Sequence, residues 1–244
     1  MISDIKTDVW EGYECKSFTF QGKNAILVIP KEPREDKKWL FKTEYFGDYP
    51  KFELEMLSRG YYLAHVDTQT RWCLPSDTKR QGEFAEFLHK EFGLNEKCVP
   101  VGVSCGGMQA IYLAANYPQY ISAFYLDAPV LNLLSCPCCV GDATYDSMYD
   151  EFKEATGKTV SDLINYRNHP FDNIDKLVEA KIPVFLICGD SDCVVPFHEN
   201  GKMLYDRYVE AGLDISLILK ENADHQPHGL DDCTPLVEFV VKNY

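Results

Sequence analysis

The chain has 244 residues, 45% of them hydrophobic, and a formal net charge of −14 at neutral pH. That length and apolar content suit one large α/β domain with its own core, spanning residues 1–244. The acidity argues against nucleic acid and anionic membrane surfaces as partners, since no basic stripe is present to neutralise phosphates, and no run approaches the ~18 apolar residues of a membrane span.

Residues 13–20 alternate loosely and predict an edge strand, turned by the polar residues 21–24. Residues 25–29 form a continuous apolar run ending at Pro30, which suits a strand buried on both faces. A charged, proline-containing loop follows, then an aromatic stretch over 39–49 with no clear period. Residues 52–57 predict a helix closed by Gly60, and 61–66 a strand ending at Asp67. After a polar loop over 68–77, a helix is predicted around 82–92, closed by Gly93. A short apolar run ends at Val103, and a helical pattern over 108–116 is stopped by Pro118. Pro100 is unwelcome inside a central strand, so it should mark the strand's first residue. Strands are predicted over 122–126, 182–188 and 215–219, with helices over 203–211 and 236–243.

This alternation predicts a doubly wound α/β fold: a mostly parallel sheet with helices on both faces. One long excursion separates the strand ending at Asp127 from the one beginning at Ile182, with amphipathic helices over 145–155, 160–166 and 173–180. Its first part, about 130–170, is read as a small cap, because insertions at the carboxyl ends of parallel strands overhang the ligand crevice.

The chemistry centres on Gly102-Val-Ser-Cys-Gly-Gly107, placed between a strand and a helix. A sharp strand-to-helix turn forces its serine into a strained conformation and leaves no room for side chains two residues away. It lifts the hydroxyl of Ser104 clear of the sheet and aims the helix's first N–H groups at whatever the serine attacks, so Cys105 N–H becomes an oxyanion donor. A serine hydroxyl needs a base, and the base an acid that fixes its tautomer. In a parallel sheet both come from loops after later strands, in the order serine, acid, histidine.

The leading acid is Asp192, in Gly189-Asp-Ser-Asp192 before a Val-Val-Pro anchor; Asp190 and Asp127 are the alternatives by position. The base is His225 or His228 in the loop after residue 219, and His225, closer to the strand end, leads. His65, His89, His169 and His198 lie elsewhere and suit structural or solvated roles. A histidine base makes activity fall below about pH 6–7, where imidazole protonates.

The three motifs together resemble the α/β-hydrolase superfamily over nearly the whole chain. More narrowly, residues 39–47, Tyr125-Leu-Asp-Ala-Pro-Val130, residues 192–201 and His225-Gln-Pro-His-Gly-Leu230 are similar to bacterial esterase-like hydrolases, some linked to carbohydrate esters. The resemblance implies a serine esterase with Ser104, Asp192 and His225 as its triad. It also exposes a departure: the His-Gly-Gly-Gly run that gives many esterases a second oxyanion N–H is missing. Thr43, Glu44 or Tyr45 would have to supply it from the backbone, with Glu44 taken as the candidate.

Two other functions fit the motifs: a peptidase of the prolyl-oligopeptidase type, and a non-catalytic hydrolase-fold protein that binds a ligand in the old site. The aromatics near Trp39 and Trp72 suit either an apolar or sugar-stacking pocket or simple core. No cofactor is implied, and the expected partner is a small-molecule ester; oligomeric state is unreadable. The amino terminus shows no basic region followed by an apolar stretch, so a cytoplasmic protein without a signal peptide is expected, with its 10 cysteines mostly reduced. Cys136, Cys138 and Cys139 lack the spacing and the second ligand pair of a structural metal site, so no metal is expected.

Overall fold

The computed structural model describes residues 5–244; residues 1–4, on which the reading of the amino terminus partly rests, lie outside the described residues. Among the described residues, nine strands form one sheet in the order β1-β2-β3-β5-β4-β6-β7-β8-β9. They are β1 (Lys6–Trp10), β2 (Tyr13–Phe20), β3 (Lys23–Ile29), β4 (Trp39–Lys42), β5 (Tyr62–Val66), β6 (Val99–Val103), β7 (Phe124–Asp127), β8 (Val184–Gly189) and β9 (Ile215–Lys220). From β5 through β4, β6, β7, β8 and β9 every pairing is parallel, whereas β1, β2 and β3 form an antiparallel meander on one side.

Helices cover both faces. On one, α1 (Lys51–Ser58) and α8 (Thr234–Asn243) bury Phe52, Met56, Leu57, Leu236 and Val240 against β3, β4, β6 and β8. On the other lie α2 (Pro75–Phe92), α3 (Cys105–Asn116), α6 (Ile174–Glu179) and α7 (Gly201–Glu210), with Phe84, Ile111, Leu177 and Tyr208 in the core. Strands buried on both faces have no polar side to show, which is why β6 and β8 read as continuous apolar runs, and β5 as one interrupted by the buried His65. No helix among the described residues is long and apolar enough to cross a membrane.

Several elements differ from the sequence reading. Residues 13–20 are not the sheet edge: β1 pairs outside them, from Lys6↔Ser17 to Trp10↔Tyr13. Four of its five residues are exposed, so no apolar period marks it. The unassigned aromatic stretch begins with β4, a fully buried four-residue strand between β5 and β6. Pro100 is not the first residue of its strand but the second, opposite Phe41. It is tolerated because the β6 to β7 register begins one residue later, at Val101↔Tyr125. Helix α2 starts at Pro75, well before residue 82, because proline's locked φ and missing N–H suit a first turn. Asp77 closes that turn by accepting Leu74 N–H at 3.1 Å and Gln69 N–H at 2.8 Å.

Within the excursion, the helix read over 145–155 begins at Tyr149 as α4 (Tyr149–Thr156) and stops at Gly157, whose φ of +69° closes it. The short helix α5 (Val160–Ile164) follows behind a Thr159 and Asp162 capping box. Met148, Phe152 and Leu163 carry this part of the excursion onto Trp72, Cys105 and Met108, beside the end of β6.

Candidate active site

Ser104 stands between β6 and α3 with φ +53° and ψ −118°, a strained conformation for a residue with a side chain. Neighbouring glycines make the turn possible. A Cβ on Gly102 would lie 2.7 Å from Gly107 Cα, and one on Gly107 would lie 2.4 Å from Pro129 Cβ. The turn is held on both sides: Ser104 N–H donates to the Asp127 carbonyl at 2.9 Å, and Val130 N–H donates to the Ser104 carbonyl at 3.1 Å.

The structure brings Ser104, His225 and Asp192 into one hydrogen-bonded chain. Ser104 Oγ lies 3.1 Å from His225 Nε2, and His225 Nδ1 lies 2.8 Å from Asp192 Oδ2. With Nδ1–H donating to the carboxylate, Nε2 is left to accept the serine proton. Asp192 is buried, and its other oxygen accepts Val194 N–H at 2.9 Å and Val195 N–H at 2.7 Å. These bonds explain the Val-Val anchor after it: they aim the carboxylate at the histidine. Asp190 is not brought to a histidine; it bonds Ser191 Oγ at 2.8 Å as an exposed turn residue.

The loops after β8 and β9 are clasped together. Asp190 N–H donates to the Lys220 carbonyl at 3.1 Å and Ser191 N–H to the Ala223 carbonyl at 3.1 Å. Asp224 Oδ1 accepts both Cys193 N–H at 3.1 Å and His225 N–H at 2.7 Å. These bonds, from Cys193 first, hold the Asp224 carboxyl below the usual range.

The remaining candidates also have definite places. Asp127 and His228 are both buried near the site and bond each other, Nδ1 to Oδ1, at 2.8 Å. The alternative acid and the alternative base therefore form a pair of their own. Cys105 opens α3, so its N–H has no partner within the helix. Its thiol faces the Tyr45 hydroxyl and is pushed by burial up to about 11, which keeps it protonated at neutral pH. Of the residues proposed for the second oxyanion N–H, Thr43 is excluded: its N–H donates to the Val101 carbonyl at 3.2 Å. Glu44 N lies 3.4 Å from where a Cβ on Gly106 would sit, and the Glu44 carboxylate turns away to accept Thr68 Oγ1–H at 2.8 Å and the Gln109 amide.

A cavity of about 450 Å³ opens over Ser104 and His225. Its aromatic lining is Tyr45, Tyr49 and Tyr145. Trp39 and Trp72 are buried, 0% and 3% exposed, and neither lines this cavity; Trp72 instead forms part of the wall of a second one, of about 360 Å³. Two cations line the cavity over Ser104, and both are paired. Lys42 Nζ meets Glu53 Oε1 at 2.6 Å, both side chains being buried. Arg71 holds Glu151 of α4 through Nε at 2.9 Å and through a second guanidinium contact, while Trp72 Nε1 donates to the same carboxylate at 3.1 Å. None of these partners was visible in the sequence, since each pair joins separate elements. The other histidines are placed structurally: His65 bonds the Lys42 carbonyl, His89 the Leu94 carbonyl and His169 the Leu163 carbonyl, while His198 is exposed. All ten cysteines are free thiols. Among the described residues, the three-residue grouping of metal-ligating type is Asp142, His198 and Glu199 at the surface, not the cysteine run.

Residues 79–242, about two thirds of the chain, match the family described as the prolyl oligopeptidase family. No curated protein matches the sequence. Solved structures share the fold at low identity. A puromycin-hydrolyzing peptidase of Mycobacterium tuberculosis superposes with a TM-score of 0.74 at 15% identity, over 96% of this chain and 38% of its own. Porphyromonas gingivalis dipeptidyl peptidase 4 gives 0.69 at 15%, over 95% and 35%. Est1E from Butyrivibrio proteoclasticus gives 0.63 at 16%, over 99% of both chains. The chain thus spans little more than a third of the length of the peptidases it matches. By its family match and its sheet, the chain belongs to the prolyl oligopeptidase family of the α/β-hydrolase superfamily.

Proposed function

We propose that the protein is a serine hydrolase that cleaves carboxylic esters of short acyl groups, acetylated or otherwise esterified carbohydrates among them. The observation that carries this reading is the chain of hydrogen bonds from Ser104 through His225 to Asp192 at the floor of a cavity of about 450 Å³. In this reading Ser104 attacks the ester carbonyl and His225 takes its proton, then returns it to the leaving alcohol. Asp192 holds the imidazole in the required tautomer and offsets its charge. The oxyanion faces Cys105 N–H and a second amide at Glu44 or Tyr45. Water, activated by the same histidine, then releases the acid. Residues 130–170 act as a cap, with Tyr145 and Met148 forming part of the cavity wall.

A small cavity of this size suits a compact substrate. Both cations that line it are already neutralised by carboxylates, which leaves no free positive group to hold an acid terminus. Tyrosines beside polar groups suit hydroxyl-rich alcohols. A second reading, cleavage of a peptide by the same residues, is favoured by the family match.

Hydrolysis of p-nitrophenyl esters from acetate to octanoate, beside matched p-nitroanilides, tests both. Ser104→Ala is expected to lower kcat by about 10⁴-fold or more with the fold intact. Turnover of the shortest esters with negligible anilide cleavage supports the esterase. Anilide cleavage at a comparable rate favours the peptidase, and serine-independent turnover overturns both. No turnover and no covalent labelling of Ser104 in a folded protein would leave the ligand-binding reading.

A further inference from the structure

Asp127 is a buried carboxylate that the chain of Ser104, His225 and Asp192 does not use. Its side chain is 1% exposed and takes three donors. Oδ1 accepts His228 Nδ1–H at 2.8 Å, while Oδ2 accepts Gly229 N–H at 2.7 Å and Tyr125 O–H at 3.1 Å. Its main-chain carbonyl accepts Ser104 N–H at 2.9 Å. One residue at the end of β7 therefore grips the serine turn through its backbone and the histidine loop through its side chain.

His228, so held, sets its ring at 86° against His225 with centroids 4.7 Å apart. Tyr49 packs on it at 82°, 5.2 Å away. The imidazole that bonds Ser104 thus has two independent supports: Asp192 at its Nδ1, and the His228 ring anchored by Asp127. An isolated loop of this kind, with its tip at Asn222 in a left-handed conformation, would otherwise place His225 only through Asp192 and the Asp224 clasp.

We propose that Asp127 and His228 are positioning residues that fix the separation of Ser104 and His225 without touching the reacting atoms. The inference rests on the reading of Ser104 as the nucleophile. Proton transfer between those atoms depends on their 3.1 Å contact, and misplacement by about 1 Å costs up to about 100-fold in rate.

The test uses the full chain, with p-nitrophenyl acetate turnover, inactivation by a serine-directed fluorophosphonate, and thermal unfolding measured together. His228→Ala is expected to lower kcat by about 10–100-fold with KM within about threefold, and to slow inactivation by the same factor. His228→Asn puts an amide N–H about where Nδ1–H stands, which keeps the grip on Asp127 but not the ring against His225, and is expected to recover part of both rates. Asp127→Asn serves as the second variant if His228→Ala does not fold, with the same loss expected. A raised KM at unchanged kcat would make His228 a substrate contact and overturn the proposal. Unchanged kcat per folded molecule, or His228→Asn no better than His228→Ala, would overturn it as well. A folded wild type that the phosphonate does not label overturns the nucleophile reading itself, and this inference with it.

Discussion

At the residue scale, the site depends on atoms that are absent. Gly102 and Gly107 pass so closely that a methyl group on either meets backbone or a proline ring within 3 Å. The cost of relieving such an overlap is about 1–3 kcal/mol, and here the shift would move the very turn that carries Ser104. Gly102→Ala is therefore expected to lower the thermal midpoint and to reduce kcat by more than the folded fraction accounts for. Unfolding curves beside active-site titration with a phosphonate check this; an intact titre and unchanged kcat would contradict it. The same scale shows why Cys105 is no rival to Ser104. Burial keeps its thiol protonated, and a protonated thiol is a poor nucleophile.

At the scale of elements, the site is made by two loops that clasp each other at the ends of β8 and β9. Gly189 lets them close, since a Cβ there would lie 2.2 Å from the Ala223 carbonyl oxygen. Asp224 carries part of this clasp, and its carboxyl is lowered first by the Cys193 N–H and then by the His225 N–H. A folded value below the unfolded one means the carboxylate contributes stability above the ordinary carboxylate range and loses it as pH falls through the depressed value. Asp224→Asn is expected to lower the thermal midpoint at neutral pH, and the difference from wild type should shrink on acidification. Unfolding scans across the acid range check the sign. A difference that grows on acidification would mean the clasp works some other way. The excursion is tied in by several links. The buried Asn200 Oδ1 accepts Leu131 N–H and Asn132 N–H, each at 2.9 Å. The ion pair of Arg71 with Glu151 is partly exposed, and exposed pairs contribute about 0–1 kcal/mol. Most of its attachment comes from Met148, Phe152 and Leu163 in the apolar cluster beneath.

At the scale of the whole molecule, charge decides what approaches. The net charge of −14 surrounds a cavity whose two cations are already paired. A cationic ester is expected to show a higher kcat/KM than its anionic isostere, and the ratio to fall with added salt as the field is screened within about 10 Å. Kinetics on a matched pair of choline and carboxylate esters at low and high ionic strength check this; a salt-independent ratio would place the preference in the cavity wall.

The sequence by itself determined the alternation of strands and helices, the position of the serine turn, and the loops from which an acid and a base must come. These are local properties. Apolar runs, closing glycines such as Gly60 and Gly93, and the Gly102-Val-Ser-Cys-Gly106 turn each arise from neighbours in the chain. Only the tertiary structure decided what local signals cannot carry. Strand β4 is too short and too flanked by aromatics to show a period, and it became a strand because β5 and β6 stand on either side of it. Strand β1 buries almost nothing and exists through its ladder with β2. Which of Asp127, Asp190 and Asp192 meets which histidine depends on contacts between residues 33 and 101 positions apart. Those distances close only when the parallel sheet sets the ends of β6, β7, β8 and β9 side by side.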